Sequence, residues 1–464
     1  MTPNSSRTRL VVIGGDAAGM SAASQARRLC SDLEIVAYER GSYVSYAACG
    51  EPYYIGGGVD DLDSLVARTP EQFADRDIEV RTRHEVVEID LSHGRVTVRD
   101  LEGGEVRAVG FDHLMLATGS KPLRPDYLTG INLPGVAGLR TLEDAEAIKQ
   151  LVDAGLERVV MLGGGYIGIE VAEALVDRGV QVTMVTSGSH VLERTLDGPM
   201  GELANQAVRD YGVDLHTGIK VRCIQSSGAR GSERASGVGC DGIDFPADLI
   251  VIGLGAAPET GLAVAAGIPL GESGAVAVDE YQRTPIEAVW AAGDCAEVLH
   301  RVSGRPVNIP LGTVANKSGR IAGTNIAAAV NGSHPATFPG ALGTAITKIG
   351  EVEISRTGLK LEEATGAGFD PVFGLARGTN TASYWPSARR ADVMLIADRR
   401  SGRLLGGQIV GGPGSGKKID VLAAALWSEM TVEDLAWVDL AYAPPFGGVW
   451  DLIHIAARRT VQSS

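Results

Sequence analysis

The chain has 464 residues with 42 basic and 57 acidic side chains, a net charge of −15 that argues against a general binder of nucleic acid or anionic membrane surfaces. At ~100–200 residues per domain, this length implies about three domains with ample core. No run approaches the ~18 apolar residues of a membrane span, and the polar stretch Met1 to Arg9 is too short for a secretion signal.

In chain order, the first expected element is an apolar strand, Leu10 to Ile13, leading into the turn Gly14-Gly15-Asp16-Ala17-Ala18-Gly19. A small-residue helix from Met20 to Leu29 follows, then a strand Glu34 to Tyr38 and the acid Glu39. Together these form a dinucleotide-binding βαβ unit. Its glycines let the backbone approach a pyrophosphate, the helix N-terminus favours that charge, and an acid ~20 residues on can accept ribose hydroxyls. Asp16 replaces the middle glycine of G-x-G-x-x-G, so a tight turn without ligand is the alternative. The total of 61 glycines, against a usual ~7 %, fits several backbone-lined nucleotide turns. Two arginines, Arg27 and Arg28, close the helix; they complement its dipole and face water, with a substrate phosphate as the alternative contact.

Past Glu39, the segment Ser45-Tyr46-Ala47-Ala48-Cys49-Gly50-Glu51-Pro52-Tyr53-Tyr54 puts a lone cysteine where a cofactor bound to this unit would lie. Five cysteines (Cys30, Cys49, Cys223, Cys240, Cys295) form no C-x-x-C or longer paired motif, so a reducing cytoplasmic setting is expected and no metal site. Alternating β-branched and charged residues from Ile78 to Val109 predict antiparallel strands. They close on a strand ending in Ala117-Thr118-Gly119, where the chain leaves one nucleotide domain for another.

The next unit repeats the pattern at the required spacing: a strand Arg158 to Leu162, Gly163-Gly164-Gly165-Tyr166-Ile167-Gly168, a helix Ile169 to Arg178 and a strand Val180 to Thr186. No carboxylate ends that strand. Thr186-Ser187-Gly188-Ser189-His190 follows, with Arg194 close by, so nothing repels a 2′-phosphate and NADPH is favoured over NADH. Residues 223–245 are expected as an exposed hairpin loop, and Leu249-Ile250-Val251-Ile252-Gly253 as a second strand-to-glycine exit returning the chain to the first domain. After the short strand at Val289 to Ala292 comes Asp294, for which a helix N-cap is the alternative reading. Gly411 to Lys418 nearly spells a P-loop, but Lys418 holds the Ser/Thr position needed for magnesium, which argues against ATP hydrolysis.

On these motifs the chain resembles the flavin disulfide reductases of the pyridine-nucleotide family, and within them the single-cysteine branch of coenzyme A disulfide reductases and NADH oxidases. The resemblance covers essentially the whole chain. It implies an α/β fold with two Rossmann-like domains and a C-terminal α+β dimerisation domain, divided as 1–120 and 246–334 for FAD, 121–245 for NAD(P)H and 335–464 for dimerisation. FAD is implied on Gly14, Gly15, Ala18, Gly19, Glu39 and Arg40, with Thr118, Gly119 and Asp294, and the nicotinamide nucleotide on Gly163, Gly165, Tyr166, Ile167, Gly168, Glu170 and Gly253. Tyr166 would cover the flavin until the nucleotide displaces it. Pro310 to Arg320 resembles the helix lining the flavin. Tyr442, in Tyr442-Ala443-Pro444-Pro445-Phe446, resembles the branch's tyrosine that reaches the partner subunit's cysteine, and Tyr384-Trp385-Pro386 a second such aromatic pair. A homodimer with shared active sites is implied, without nucleic acid or membrane.

A single thiol beside a flavin limits the chemistry. Position 54 is Tyr54, so Cys49 has no C-x-x-x-x-C partner, and its oxidised form is a mixed disulfide with a small thiol or a sulfenic acid. The first makes an FAD-dependent NAD(P)H reductase of small disulfides such as coenzyme A disulfide; the second makes an oxidase or peroxidase. A slow redox-sensing flavoprotein is a third reading. A helix N-terminus and the flavin are expected to favour the Cys49 thiolate. Gln25, Arg28 and Ser45 match residues that hold the coenzyme A moiety, which favours the reductase, although Ala48 replaces an asparagine found in some of them. No C-terminal sulfur-transferase domain is seen, which argues against a fused persulfide reductase.

Overall fold

The computed structural model describes residues 7–229, 231–240 and 242–463. Residues 1–6 of the polar N-terminal stretch and positions 230 and 241 of the expected hairpin lie outside the described residues. Among the described residues, no helix is long and apolar enough to cross a membrane.

Three five-stranded sheets frame the chain, with smaller sheets beside them. The first is parallel, in the order Val289–Ala291, His113–Leu116, Arg9–Ile13, Glu34–Tyr38, Ile78–Arg81. Leu10, Val11 and Val12 are fully buried, as expected of a central parallel strand covered on both faces. The helix Ala17–Leu29 starts directly from the glycine turn, earlier than expected, and packs on the helix Gly312–Asn331. Glycines set that contact: a Cβ on Gly319 would stand 2.3 Å from the Ala18 carbonyl oxygen, and one on Gly323 2.2 Å from that of Ala22. Ile78–Arg81 departs from the antiparallel expectation, because it adds in parallel to Glu34–Tyr38 and buries Ile78 there. The antiparallel sheet holds only His84–Asp90, Arg95–Asp100 and Val106–Gly110.

The second parallel sheet runs Asp214–His216, Gln181–Val185, Arg158–Leu162, Leu249–Ile252, Val136–Gly138. Leu249–Ile252 is hydrogen-bonded to Arg158–Leu162, so the second unit extends to Ile252 rather than ending at residue 245. Four apolar residues buried on both faces belong in a sheet interior, and the chain crosses back only at Ala256–Pro258, which pairs with Ser120–Pro122. Residues 223–245 are not a loop. Val221–Ser227, Arg234–Cys240 and Ile243–Pro246 form an antiparallel sheet whose Ile224, Val238, Cys240 and Phe245 pack under the second unit beside Leu162 and Val185.

The third sheet is antiparallel: Ala345–Ile349, Val352–Gly358, Leu404–Gly411, Arg390–Asp398, Pro371–Thr379. The helices Ile419–Trp427 and Leu452–Ser463 pack against it. The P-loop look-alike is closed from within: the amides of Gly414 and Gly416 donate to the Glu353 carboxylate at 2.9 and 2.6 Å, and Lys418 donates to Asp451 at 2.5 Å. An internal anion holds the donors that a phosphate would need.

Candidate active site

A cavity of about 2060 Å³ joins the carboxyl ends of both parallel sheets, and both glycine turns line it. Gly14 has φ +105, and a Cβ on it would stand 2.1 Å from the Ala117 carbonyl oxygen. A Cβ on Gly19 would stand 2.0 Å from the oxygen of Gly14, so the turn admits no side chain at either end. The amides of Gly15 and Gly41 donate to the Glu39 carboxylate at 2.8 and 2.7 Å, fixing the acid at the strand end. Asp294 receives Ser120 Oγ and Arg140 Nη2, both at 2.9 Å. Ala18, Arg40, Thr118 and Gly119 complete this side of the wall. A side-chain-free cradle, a helix starting from it and an oriented acid fit the pyrophosphate and ribose of FAD.

Asp16 is the exception within that cradle. Its carboxylate accepts the Tyr46 amide at 3.2 Å, which ties the turn to the cysteine segment, and burial pushes its pKa up to about 6.

The second turn is built alike. Gly163 has φ +101 with a Cβ position 2.4 Å from the Gly253 oxygen, and a Cβ on Gly168 would stand 2.5 Å from that of Gly163. Gly253 donates to Leu162 at 2.7 Å, and Gly165 caps the helix Tyr166–Asp177, whose Tyr166, Ile167 and Glu170 face the cavity. Burial pushes the Tyr166 phenol up to about 12, so it is neutral. Glu170 accepts Thr347 Oγ1 at 2.8 Å, and burial raises its pKa as well.

Cys49 lies between these halves, in the single turn Ala48–Gly50 that runs into the helix Glu51–Gly56. It is the exposed cysteine of the five; Cys30, Cys240 and Cys295 are buried and Cys223 half-buried. Although its sulfur opens on the cavity, protein encloses its other sides, and this desolvation pushes the thiol up, assisted by Glu170 and Glu51. The expected lowering of its pKa is therefore not what the protein surroundings produce. The helix is short, and its first residue is an acid.

Glu51, which the sequence did not single out, is 3 % exposed, lines the cavity and leaves Oε1 without a hydrogen-bond partner. Burial pushes it up to about 8, so it is mostly protonated at neutral pH. Arg140 was missed for a different reason: no local pattern connects it to Asp294, which is distant in sequence.

Gln25, Arg28 and Ser45 are outside the cavity wall. Gln25 donates to Thr324 at 3.1 Å and accepts from Arg28, one turn from the Ser21–Asn316 bond of 2.9 Å. Asn316 lines the cavity, so a polar ladder climbs from it between the two long helices to Arg28. Ser45 adopts φ +49, with its amide on the Gly15 oxygen at 2.9 Å. Arg27 is half-buried and donates to the carbonyls of Ser31, Leu33 and Asp77. Tyr384 and Tyr442 are hydrogen-bonded to each other and exposed, away from the cavity of their own chain. Trp437, Phe446 and Trp450 are exposed on the same unit.

The family model described as pyridine nucleotide-disulphide oxidoreductase matches residues 8–319, and that of the family's dimerisation domain matches residues 344–452. The NAD(P)H coenzyme A polysulfide/persulfide reductase of Pyrococcus horikoshii is 37 % identical, over 97 % of this chain and 98 % of that protein. An NADH oxidase of Methanocaldococcus jannaschii is 33 % identical, over 97 % and 98 %. Among solved structures, an NAD-dependent persulfide reductase from A. fulgidus superposes with a TM-score of 0.91 at 37 % identity, covering 97 % of this chain and 82 % of that one. With two dinucleotide cradles meeting at a cysteine and family matches across most of its length, the chain belongs to the pyridine nucleotide-disulphide oxidoreductase family, as an enzyme that uses FAD and NAD(P)H.

Proposed function

We propose that this protein reduces a coenzyme A-linked sulfur–sulfur bond, with Cys49 as the only redox-active thiol and FAD and NAD(P)H as electron carriers. One observation carries the reading: the exposed cysteine stands where the two dinucleotide cradles meet, and Tyr54 holds the position of the second cysteine of a C-x-x-x-x-C pair. Bound FAD supplies a relay for two electrons from the nicotinamide hydride to sulfur. The residues do the rest.

The Cys49 thiolate attacks one sulfur of the substrate disulfide. That bond breaks, the first thiolate leaves and takes a proton, and a mixed disulfide remains on Cys49. Two electrons cleave it, returning the Cys49 thiolate and, with a proton, the second thiol. One NAD(P)H, one proton and one disulfide thus give NAD(P)⁺ and two thiols. The ladder from Asn316 past Gln25 to Arg28 supports a long polar substrate, because it offers a cation at its outer end and amide groups along its length. The name of the Pyrococcus horikoshii relative, a coenzyme A polysulfide/persulfide reductase, supports the same substrate class. Tyr442 and Tyr384 would act on the Cys49 of a second subunit, since they lie outside the cavity of their own.

The oxidase reading is favoured by the relative named NADH oxidase. Intact-mass spectrometry under non-reducing, denaturing conditions separates the two. A reducible adduct of coenzyme A mass on Cys49 is expected; an added oxygen, or a free thiol with rapid aerobic NAD(P)H consumption, would move the assignment to an oxidase.

A further inference from the structure

The strand Gln181–Val185 ends where a dinucleotide fold reads the ribose beside adenine. Thr186 to Ser189 carry no carboxylate, which on sequence favours NADPH. The structure brings one there from the next loop. Glu193 folds back so that Oε1 accepts both the Ser189 amide at 2.9 Å and Ser189 Oγ at 3.1 Å. Its Oε2 lies so close to Gly188 that a Cβ on that glycine would stand 2.4 Å away. Bonded to the amide, the carboxylate is held below the usual glutamate range and stays anionic. Ser187, Gly188 and Glu193 all line the nucleotide side of the cavity.

The neighbouring cations have contacts of their own. Arg194 lines the same cavity, and its Nη1 lies 3.3 Å from the Cβ position of Gly255, on the loop after Leu249–Ile252. Lys360 donates to the Glu193 main-chain oxygen at 2.7 Å. The Ser189 amide and hydroxyl, which could have received a 2′-phosphate, are already given to a fixed negative charge.

We infer that Glu193 selects NADH over NADPH, its carboxylate receiving the adenosine ribose 2′-hydroxyl and repelling a 2′-phosphate. The inference rests on the nicotinamide-dependent reaction proposed above and replaces the expectation of an NADPH enzyme. It is tested on the FAD-loaded protein by stopped-flow bleaching of the flavin with NADH and with NADPH, and by calorimetric binding of each nucleotide. The parent protein should favour NADH by about tenfold or more, about 1.4 kcal/mol. Glu193→Gln should narrow that ratio mainly by improving NADPH, and Glu193→Arg should invert it. A parent that prefers NADPH, or a ratio unmoved by both variants, would overturn the inference. Failure of either nucleotide to bleach the flavin would overturn the proposed reaction instead, while the binding ratio still decides the role of Glu193.

Discussion

Around Cys49 burial acts first on the thiol, with Glu170 and Glu51 pushing the same way and Arg140 against them. The protein surroundings therefore disfavour the thiolate. Glu51 is itself a buried acid with one unpartnered oxygen. Its pKa of about 8 in the fold lies above the ~4.3 of an unfolded glutamate, so the protonated form favours folding. The resulting loss of stability accumulates as pH rises from ~4 to about 8 and is flat above that. Glu51→Gln should therefore stabilise the protein by a few kcal/mol, on the order of ~2–4, at pH 9 and by little at pH 4. Thermal melting at the two pH values checks this; equal shifts at both would show that the carboxylate is satisfied in the fold.

Among the elements, the pair of long helices Ala17–Leu29 and Gly312–Asn331 positions both the FAD cradle and the polar ladder. Gly319 lets Ala18 approach at backbone distance, and Gly293 also closes on the Ala18 side chain. Gly319→Ala gains helix propensity but meets a main-chain oxygen at 2.3 Å that has no flexible end to give way. The expected result is a destabilisation of about 1–3 kcal/mol, as for overpacked cores, with faster loss of FAD on dilution, followed by melting and by flavin fluorescence. Unchanged retention of FAD would show that the helix pair does not set the cradle. Element types were read well where the periodicity was clean, as at Arg158 to Leu162. They were misread at residues 223–245, where Ser and Gly dominate and the buried apolar residues Ile224, Ala235, Val238, Cys240 and Phe245 are too sparse to suggest a sheet.

At the scale of the whole molecule, the proposed site draws on two subunits. Tyr384 and Tyr442 are paired and exposed beside Trp437, Phe446 and Trp450, an aromatic surface on the unit matched by the dimerisation-domain model. If each site joins Cys49 of one subunit to Tyr442 of the other, mixing Cys49→Ser subunits with Tyr442→Phe subunits gives dimers with one intact site. Disulfide reduction in the mixture should exceed that of either variant alone and approach half the parent rate per mixed dimer. Activity no higher than that of the separate variants would place the tyrosine outside the mechanism or within its own subunit.

Both glycine turns and the lone Cys49 were legible because a strand, a side-chain-free turn and a helix start are encoded within a few adjacent residues, and the steric demand at Gly14 or Gly163 is local. Two departures were equally local: Tyr54 stands where a C-x-x-x-x-C partner of Cys49 would be, and Lys418 stands where a magnesium-binding hydroxyl would be. Only the tertiary structure decided that Leu249–Ile252 completes the second sheet, that Arg140 meets Asp294 and that Glu193 supplies the acid the strand end lacks. It also decided that Glu51 is dry. Desolvation and hydrogen bonding depend on groups that arrive from elsewhere in the chain, and no periodicity along the sequence carries their distances.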